Sequence, residues 1–531
     1  MGSQKYDDDE QIVNNATNDD DSGKFGGSLF DVGKVPLKFD NEPEVPIEDN
    51  VYKLLIELMG RGTGSDRLGA DIVMVLDISG SMEGEKLIEM KRALQFVIKK
   101  LSPSDRLSVI TFSSDADRKC PLRQMTQKAQ EEIDFLVQNL NAGGSTNITA
   151  GLQKGLKVLD ERKFTTGRSG AIMLMSDGEQ NAGGDATMVS VERFPVFTFG
   201  FGSGGEYDPK VLNDIAKNST GGTFSLASPG NLSIAFSQCL GGLLSVLVQD
   251  VKLVLIPLTD KVSRREKVTT KIIKVYAGNY PQTTDDSTGA VTVFFGDLYQ
   301  KEIRTVLVDL FLPAVTQEVD LDALEISCTY RADSGNLTST NPAVFRVTRS
   351  KTPVTKQSDA AKAEIQRVEI VEMMKEARNL ADQNKFDEAL DKAVKAQNLL
   401  DDFNLKKPNQ VIETLKLEVN EMVKFLQSEE TYKAKGRSFT YSSETSHDRQ
   451  RFASRGDVEK IRPFAIPRMD DYLEQAKAFE KDPTKPVPTA AEDEKKELAA
   501  DPLSAVSPSI SYYLAIAIDA LQNIKKIVDQ K

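Results

Sequence analysis

Three oxygen-bearing side chains stand at intervals of two in the stretch DISGSM: Asp77, Ser79 and Ser81. They follow a short apolar run, DIVMVL (71–76), and precede an amphipathic pattern, GEKLIEMKRALQFVIKKL (84–101). The run reads as a buried strand and the pattern as a helix. The three groups therefore collect where a strand ends, which is where open parallel sheets bind their ligands. Two other loops carry matching chemistry: GGSTN offers Thr146 ahead of a helical segment, and MSDGEQN offers Asp177 at the exit of another apolar run. Together they supply two carboxylates and three hydroxyls, with no sulfur and no imidazole. Such oxygen donors suit a hard cation, Mg²⁺ or Mn²⁺, or else Ca²⁺. Hydroxyls do not neutralise the ion. If the aspartates act through waters, the metal stays electron-poor and draws an anionic ligand, such as a carboxylate of a protein partner. Taken alone, Asp77 and Ser79 would also suit a turn and a helix N-cap; the three loops together favour the metal.

The elements that must hold these loops alternate. Strands are expected at 71–77, 106–113, 170–178, 194–202 and 222–227. Helices are expected at 84–101, 127–140, 148–161, 209–219 and 232–248. That order predicts an α/β, doubly wound parallel sheet of Rossmann-like type over 70–245. From Val251 the style changes to short β runs separated by Asp, Gly, Pro, Asn and Ser, which predicts an antiparallel β-sandwich over 250–350. The segment 31–65 contains VYKLLIELMG, which reads as a strand ending in a glycine-rich break, GRGTG. TPVTKQSD reads as a connection. Helical periodicity then returns at 358–430, with a break near Asn384. NKFDEALDKA is similar to the second-helix entry of a tetratricopeptide repeat, but a single copy implies a lone hairpin or small bundle. Residues 431–470 read as a polar linker and 471–531 as a C-terminal helical segment, ending in PSISYYLAIAIDALQNIKKIV. Residues 1–30, acidic and poor in large apolar groups, are expected to be disordered.

Composition narrows the function. The chain has 531 residues, 39% hydrophobic and 28% charged, within the ordinary globular range. No run approaches the ~18 consecutive apolar residues of a membrane span. MGSQKYDDDE has no apolar leader region, and Tyr6 stands where a myristoylation motif requires Ser or Thr. Cys120, Cys239 and Cys328 are too far apart for a disulfide framework or a cysteine-rich zinc site. A reducing, cytoplasmic setting is expected, and Asn-x-Ser/Thr triplets such as those at Asn218 and Asn336 read as chance matches. A net charge of −13 with no basic face argues against nucleic acid. The one histidine, His447, lies in a polar stretch and reads as a surface residue. No nucleophile–base pair is evident, and GSGGE (202–206) lacks the lysine of a phosphate loop. No enzymatic activity is expected.

DIVMVLDISGSM, SDRLSVITFS, GGSTNI, LMSDGEQN and FTFGFGS, spread over 70–245, resemble a von Willebrand factor A domain. The resemblance implies a metal-ion-dependent adhesion site made by Asp77, Ser79, Ser81, Thr146 and Asp177, matched without a gap. It also implies a protein-binding role. More loosely, GGLLSVLVQD, GDLYQKE, KGRSFTYSSETSHDRQRFASRGD and the C-terminal helical part are similar to plant A-domain RING ubiquitin ligases of the wavy-growth type. A RING needs about eight Cys and His ligands for two zinc ions, which three Cys and one His cannot supply. What that resemblance implies is the substrate- or partner-binding part, without ligase activity. Inter-alpha-trypsin-inhibitor heavy chains are similar at the domain level and carry an A domain within a β-rich module. By that likeness 31–65 is a strand segment of the sandwich, VYKLLIELMG pairs with strands of 250–350, and the A domain is an insertion between them. Copines, membrane-surface adaptors with an intracellular A domain, offer a third likeness, but no C2 pattern or basic stripe accompanies it here.

Overall fold

The apolar run after Gly69 becomes the strand Gly69–Asp77 at the centre of a six-stranded sheet. In this computed structural model the described residues are 34–500, apart from 40–42, 64–65, 203–206, 263–265, 354–356 and 457–459, together with Glu10 and Ile12. Gly69–Asp77 pairs in parallel with Arg106–Phe112 on one side and Arg168–Ser176 on the other, and Val196–Phe201 and Phe224–Ala227 continue the parallel order. Every residue of Arg106–Phe112 and Arg168–Ser176 is buried, as strands covered on both faces must be. Side chains of the central strand alternate between two cores. Ile72, Met74 and Leu76 join Leu94, Val97 and Phe236 on one face; Val73 and Val75 join Leu152, Leu156 and Ile215 on the other. The covering helices are Glu85–Lys100, Gln127–Gln138, Ile148–Asp160, Pro209–Asn218 and Leu232–Leu243. Gly151 lets the third of these approach closely, since a Cβ there would stand 2.7 Å from the Phe112 ring. This doubly wound architecture agrees with the expected fold class.

Two details differ. The sheet has a sixth strand, Ala116–Gln124, antiparallel at the edge. Its charges and Pro121 hide it from an apolar pattern, and an edge strand tolerates both. The helix read over 232–248 ends at Leu243, because residues from Val246 enter a long strand, Val246–Pro257, of the next unit.

That unit is a sandwich of two sheets. One runs Leu37–Phe39, Asn50–Met59, Ile303–Leu312, Lys271–Tyr276. The other runs Gln282–Thr284, Val291–Tyr299, Val246–Pro257, Val319–Arg331, Ala343–Ser350, Glu44–Pro46. VYKLLIELM lies inside the 10-residue strand Asn50–Met59, which pairs antiparallel with Ile303–Leu312 along its whole length. Leu54, Ile56 and Leu58 enter one core with Leu253, Phe295, Ile326 and Phe345. The α/β sheet thus sits in the chain between two paired strands of the sandwich.

Helices Asp359–Asp382, Phe386–Asp401 and Gln410–Leu426 share a further core. The break falls at Asn384, whose φ of 60° is a left-handed conformation that asparagine tolerates. Helices Pro467–Lys481 and Ala490–Ala500 follow. The helix expected at 508–528 and most of the acidic N-terminus lie outside the described residues.

The polar stretch read as a linker over 431–470 is the largest correction. A wide helical turn, Tyr432–Gly436, leads into helix Arg437–Arg449, and every residue from Ser438 to Arg449 is buried. His447 is 1% exposed, not a surface residue. Its Nε2 lies 2.9 Å from Glu418 Oε2, and Arg455 lies 2.9 Å from Glu418 Oε1. Burial keeps the His447 imidazole below its ordinary value. Despite burial of its own, Glu418 is held below the usual carboxylate range by Arg455 and His447. Arg449 donates to the carbonyls of Lys217 and Ser219 in the α/β domain, and Arg451 donates to Glu302 and Asp297 O in the sandwich. Arg378 of the helical hairpin donates to Glu444. Ser454 O accepts from Leu226 N, so the chain after this helix covers the free edge of the strand Phe224–Ala227. Polar side chains are buried here with partners on neighbouring units, such as those of Arg449, Arg451 and Glu444, or within the stretch itself, as where Ser446 donates to Arg451 O.

Candidate metal centre

All five residues singled out from the sequence meet at the carboxyl end of the central strand. Asp77 is the last residue of that strand and is fully buried. Its Oδ1 accepts from the Ser79 amide at 2.8 Å and its Oδ2 from the Ser176 hydroxyl at 2.6 Å. These bonds fix the turn that carries Ser79 and Ser81. The two serine hydroxyls are 3.0 Å apart, and Ser81 Oγ donates to Asp177 Oδ1 at 2.8 Å. Asp177 follows the strand Arg168–Ser176 directly and is also fully buried.

Thr146 arrives on the third loop, which is tied to the first by backbone bonds from Gly143 N to Ile78 O and from Gly80 N to Gly144 O. Gly144 has φ 89°, the left-handed conformation glycine adopts freely. Asn147 then caps the helix Ile148–Asp160 by accepting from Ala150 N. The Thr146 amide donates to Asn181 Oδ1 at 2.8 Å, and Thr146 O accepts from Asn181 N. A Cβ on Gly178 would stand 3.5 Å from Ser81 Oγ and 3.6 Å from Thr146 Oγ1. The glycine leaves open the space that both hydroxyls border. Two carboxylates, three hydroxyls and this open cradle fit a hard divalent cation.

The electrostatics agree. Burial pushes the Asp77 carboxyl up to about 6, against the hydrogen bonds from Ser176 and Ser79, and the neighbouring charge of Asp177 adds to the rise. A cation beside it would favour the ionised form.

Three supporting residues were not singled out from the sequence. Ser176 holds Asp77, Asn181 holds Thr146, and Lys86 Nζ lies 2.7 Å from Asp177 Oδ2. Ser176 and Asn181 were legible in principle, since they flank Asp177 in MSDGEQN. Lys86, on the first turn of the next helix, had no sequence signal. Glu179, in the same loop as Asp177, lines a cavity of about 400 Å³ shared with Tyr207, Asp382, Tyr432 and Arg437.

Residues 71–238 match the model of the von Willebrand factor type A domain, and residues 395–478 match a model described as VWA / Hh protein intein-like. E3 ubiquitin-protein ligase WAV3 of Arabidopsis thaliana is 28% identical over 301 residues, 54% of this chain and 36% of that protein. An uncharacterised protein of Synechocystis is 30% identical over 256 residues, 46% of this chain and 58% of that protein. Inter-alpha-trypsin inhibitor heavy chain H1 of Bos taurus is 30% identical over 149 residues, 26% of this chain and 16% of that protein. The chain thus spans 36%, 58% and 16% of the lengths of these relatives. Among solved structures, a von Willebrand factor type A protein from Catenulispora acidiphila superposes with a TM-score of 0.58 at 16% identity, over 74% of this chain and 89% of that one. Residues 71–238 are a von Willebrand factor type A domain, and the chain is homologous to the WAV3-type proteins. Domains of this kind bind a divalent metal and mediate protein interactions.

Proposed function

We propose that the chain is a metal-dependent protein-binding scaffold or adaptor. In this reading Asp77, Ser79, Ser81, Thr146 and Asp177 hold Mg²⁺, with Mn²⁺ or Ca²⁺ as alternatives, and an acidic side chain of a partner completes the coordination. The observation that carries it is a pair of fully buried carboxylates, Asp77 and Asp177, set among three hydroxyls around the open Gly178 cradle. The metal supplies a positive charge that draws the partner's carboxylate. Ser176 and the Ser79 amide orient Asp77, and Asn181 orients Thr146. The role is binding and not catalysis, and the setting is the cytoplasm. Among the described residues no helix is long and apolar enough to cross a membrane.

The test has two arms. Calorimetry on the purified chain with Mg²⁺ gives one-site binding that Asp77→Ala abolishes without unfolding the protein. Capture from native extract succeeds in Mg²⁺ and fails in EDTA, and Thr146→Ala weakens capture more than it weakens metal binding. Equal Mg²⁺ affinity in Asp77→Ala, or a partner held equally well in EDTA, overturns the reading.

A second reading is favoured by the likeness to E3 ubiquitin-protein ligase WAV3. There the same site holds substrates or partners for ubiquitination. Recovery of ubiquitination components in the Mg²⁺-dependent fraction selects this version, and autoubiquitination by the chain itself would overturn the assignment of a purely binding role.

A further inference from the structure

We propose that Lys86 is the built-in counter-ion of Asp177, and that divalent-cation binding is an exchange in which the ion displaces the Lys86 ammonium from that carboxylate. The proposal rests on the metal reading above. Asp177 is fully buried, and both its oxygens are engaged: Oδ1 accepts from Ser81 at 2.8 Å and Oδ2 from Lys86 Nζ at 2.7 Å. Lys86 is therefore part of the site's charge balance.

The two aspartates bring up to two negative charges to the site, and the Lys86 ammonium offsets one of them. A divalent cation offsets both and makes the ammonium redundant. Repulsion between the ion and the ammonium then drives the lysine out. It has somewhere to go: its side chain is 24% exposed, whereas that of Asp177 is 0%. It stands on the first turn of the helix Glu85–Lys100, and its four-carbon stem swings without moving backbone.

The residue type matters. A guanidinium in this place would hold a carboxylate through a planar fork that is hard to dislodge, while an ammonium is a mobile point charge that water readily solvates. The device has two consequences. The domain keeps Asp177 compensated and stays folded without metal. The ion must also outcompete a resident charge, so its affinity is weaker than the oxygen donors alone would give.

The decisive measurement is Mg²⁺ and Mn²⁺ calorimetry on the full chain and on two variants. Lys86→Gln, which keeps an N–H donor and loses the charge, binds either ion about tenfold or more tightly than wild type, on the scale of one close charge at a partly exposed site. Lys86→Arg keeps the charge and stays at or below wild-type affinity. In EDTA the Lys86→Gln protein melts lower than wild type, and Mg²⁺ restores it. On the unmodified chain, amine acetylation read by mass spectrometry shows Lys86 reacting faster in Mg²⁺ than in EDTA. Equal ion affinity in Lys86→Gln and wild type, or a Lys86 acetylation rate indifferent to Mg²⁺ while the ion is bound, overturns the exchange and leaves the metal site standing. A wild-type chain that binds neither ion removes the metal reading and the exchange with it.

Discussion

Asp71 and Asp77 lie on the same strand, Gly69–Asp77, and both are fully buried. Around Asp71, Arg106 donates through Nε and Nη2 at 2.8 and 2.7 Å, Arg168 at 2.8 and 2.6 Å, and Arg162 at 2.7 Å. Burial works against ionisation, yet these three guanidiniums hold the Asp71 carboxyl below the usual range. Nearby Asp105 is served in the same way by Arg67 and by the amides of Ala70 and Ser102. At the other end, the main groups acting on Asp77 are two serine side chains, the Ser79 amide and the carboxylate of Asp177, and burial leaves its carboxyl pushed up to about 6. One end of the sheet is a finished ionic clasp. The other is left short of positive charge in a core that could have supplied arginine. A buried carboxylate left in that condition points to a ligand, because stability alone favours the first arrangement.

The contrast can be broken by mutation. Asp71→Asn strands three buried arginines and is expected to cost about 3–5 kcal/mol in urea denaturation. The sign of its pH dependence follows from the depressed folded pKa. Asp71 contributes stability in full above its unfolded pKa of about 4, and loses it as the pH falls through the folded value. The gap between wild type and Asp71→Asn should therefore stay constant from pH 7 to pH 5 and close only below about 4. At the opposite end, Mg²⁺ at a hundred times its Kd should stabilise the wild type by about 2.7 kcal/mol, and leave Asp77→Asn unmoved. The smallest effect sharpens the comparison most. In EDTA, Asp77→Asn keeps an acceptor for the Ser79 amide and turns its NH2 group to the Ser176 hydroxyl, which can accept it, and should alter stability by no more than about 1 kcal/mol. If that variant unfolds as readily as Asp71→Asn, the two ends are alike and the argument from incomplete charge collapses.

What could be read from the sequence follows from what each signal measures. Ile72, Met74 and Leu76 on one face and Val73 and Val75 on the other make an unbroken apolar run, the mark of a strand buried on both sides. The five candidate ligands were legible because strand ends in such a sheet gather loops distant in sequence. Lys86 was not, since one lysine on an amphipathic helix looks like any solvated charge. The edge strand Ala116–Gln124 was hidden by its charges and its proline. Helix Arg437–Arg449 was hidden most completely. Its residues are buried by hydrogen bonds and ion pairs with units far away in the chain, and hydrophobic periodicity carries no trace of those.

That helix also sets a constraint on how the protein is made. The carbonyls of Lys217 and Ser219 receive their donor from Arg449, 232 and 230 residues later. The exposed edge at Leu226 waits for Ser454, and the strand Asn50–Met59 waits for Ile303–Leu312. A nascent chain emerging from the ribosome thus holds half a sandwich until residues 303–350 are made, and an α/β domain with an open sheet edge until its last third is synthesised. Such long closures slow folding and leave intermediates prone to aggregate. Truncation before residue 449 removes the pieces that seal the α/β domain at Lys217, Ser219 and Leu226, so a prematurely stopped chain is a target for chaperones and proteases and not a smaller working version of this protein.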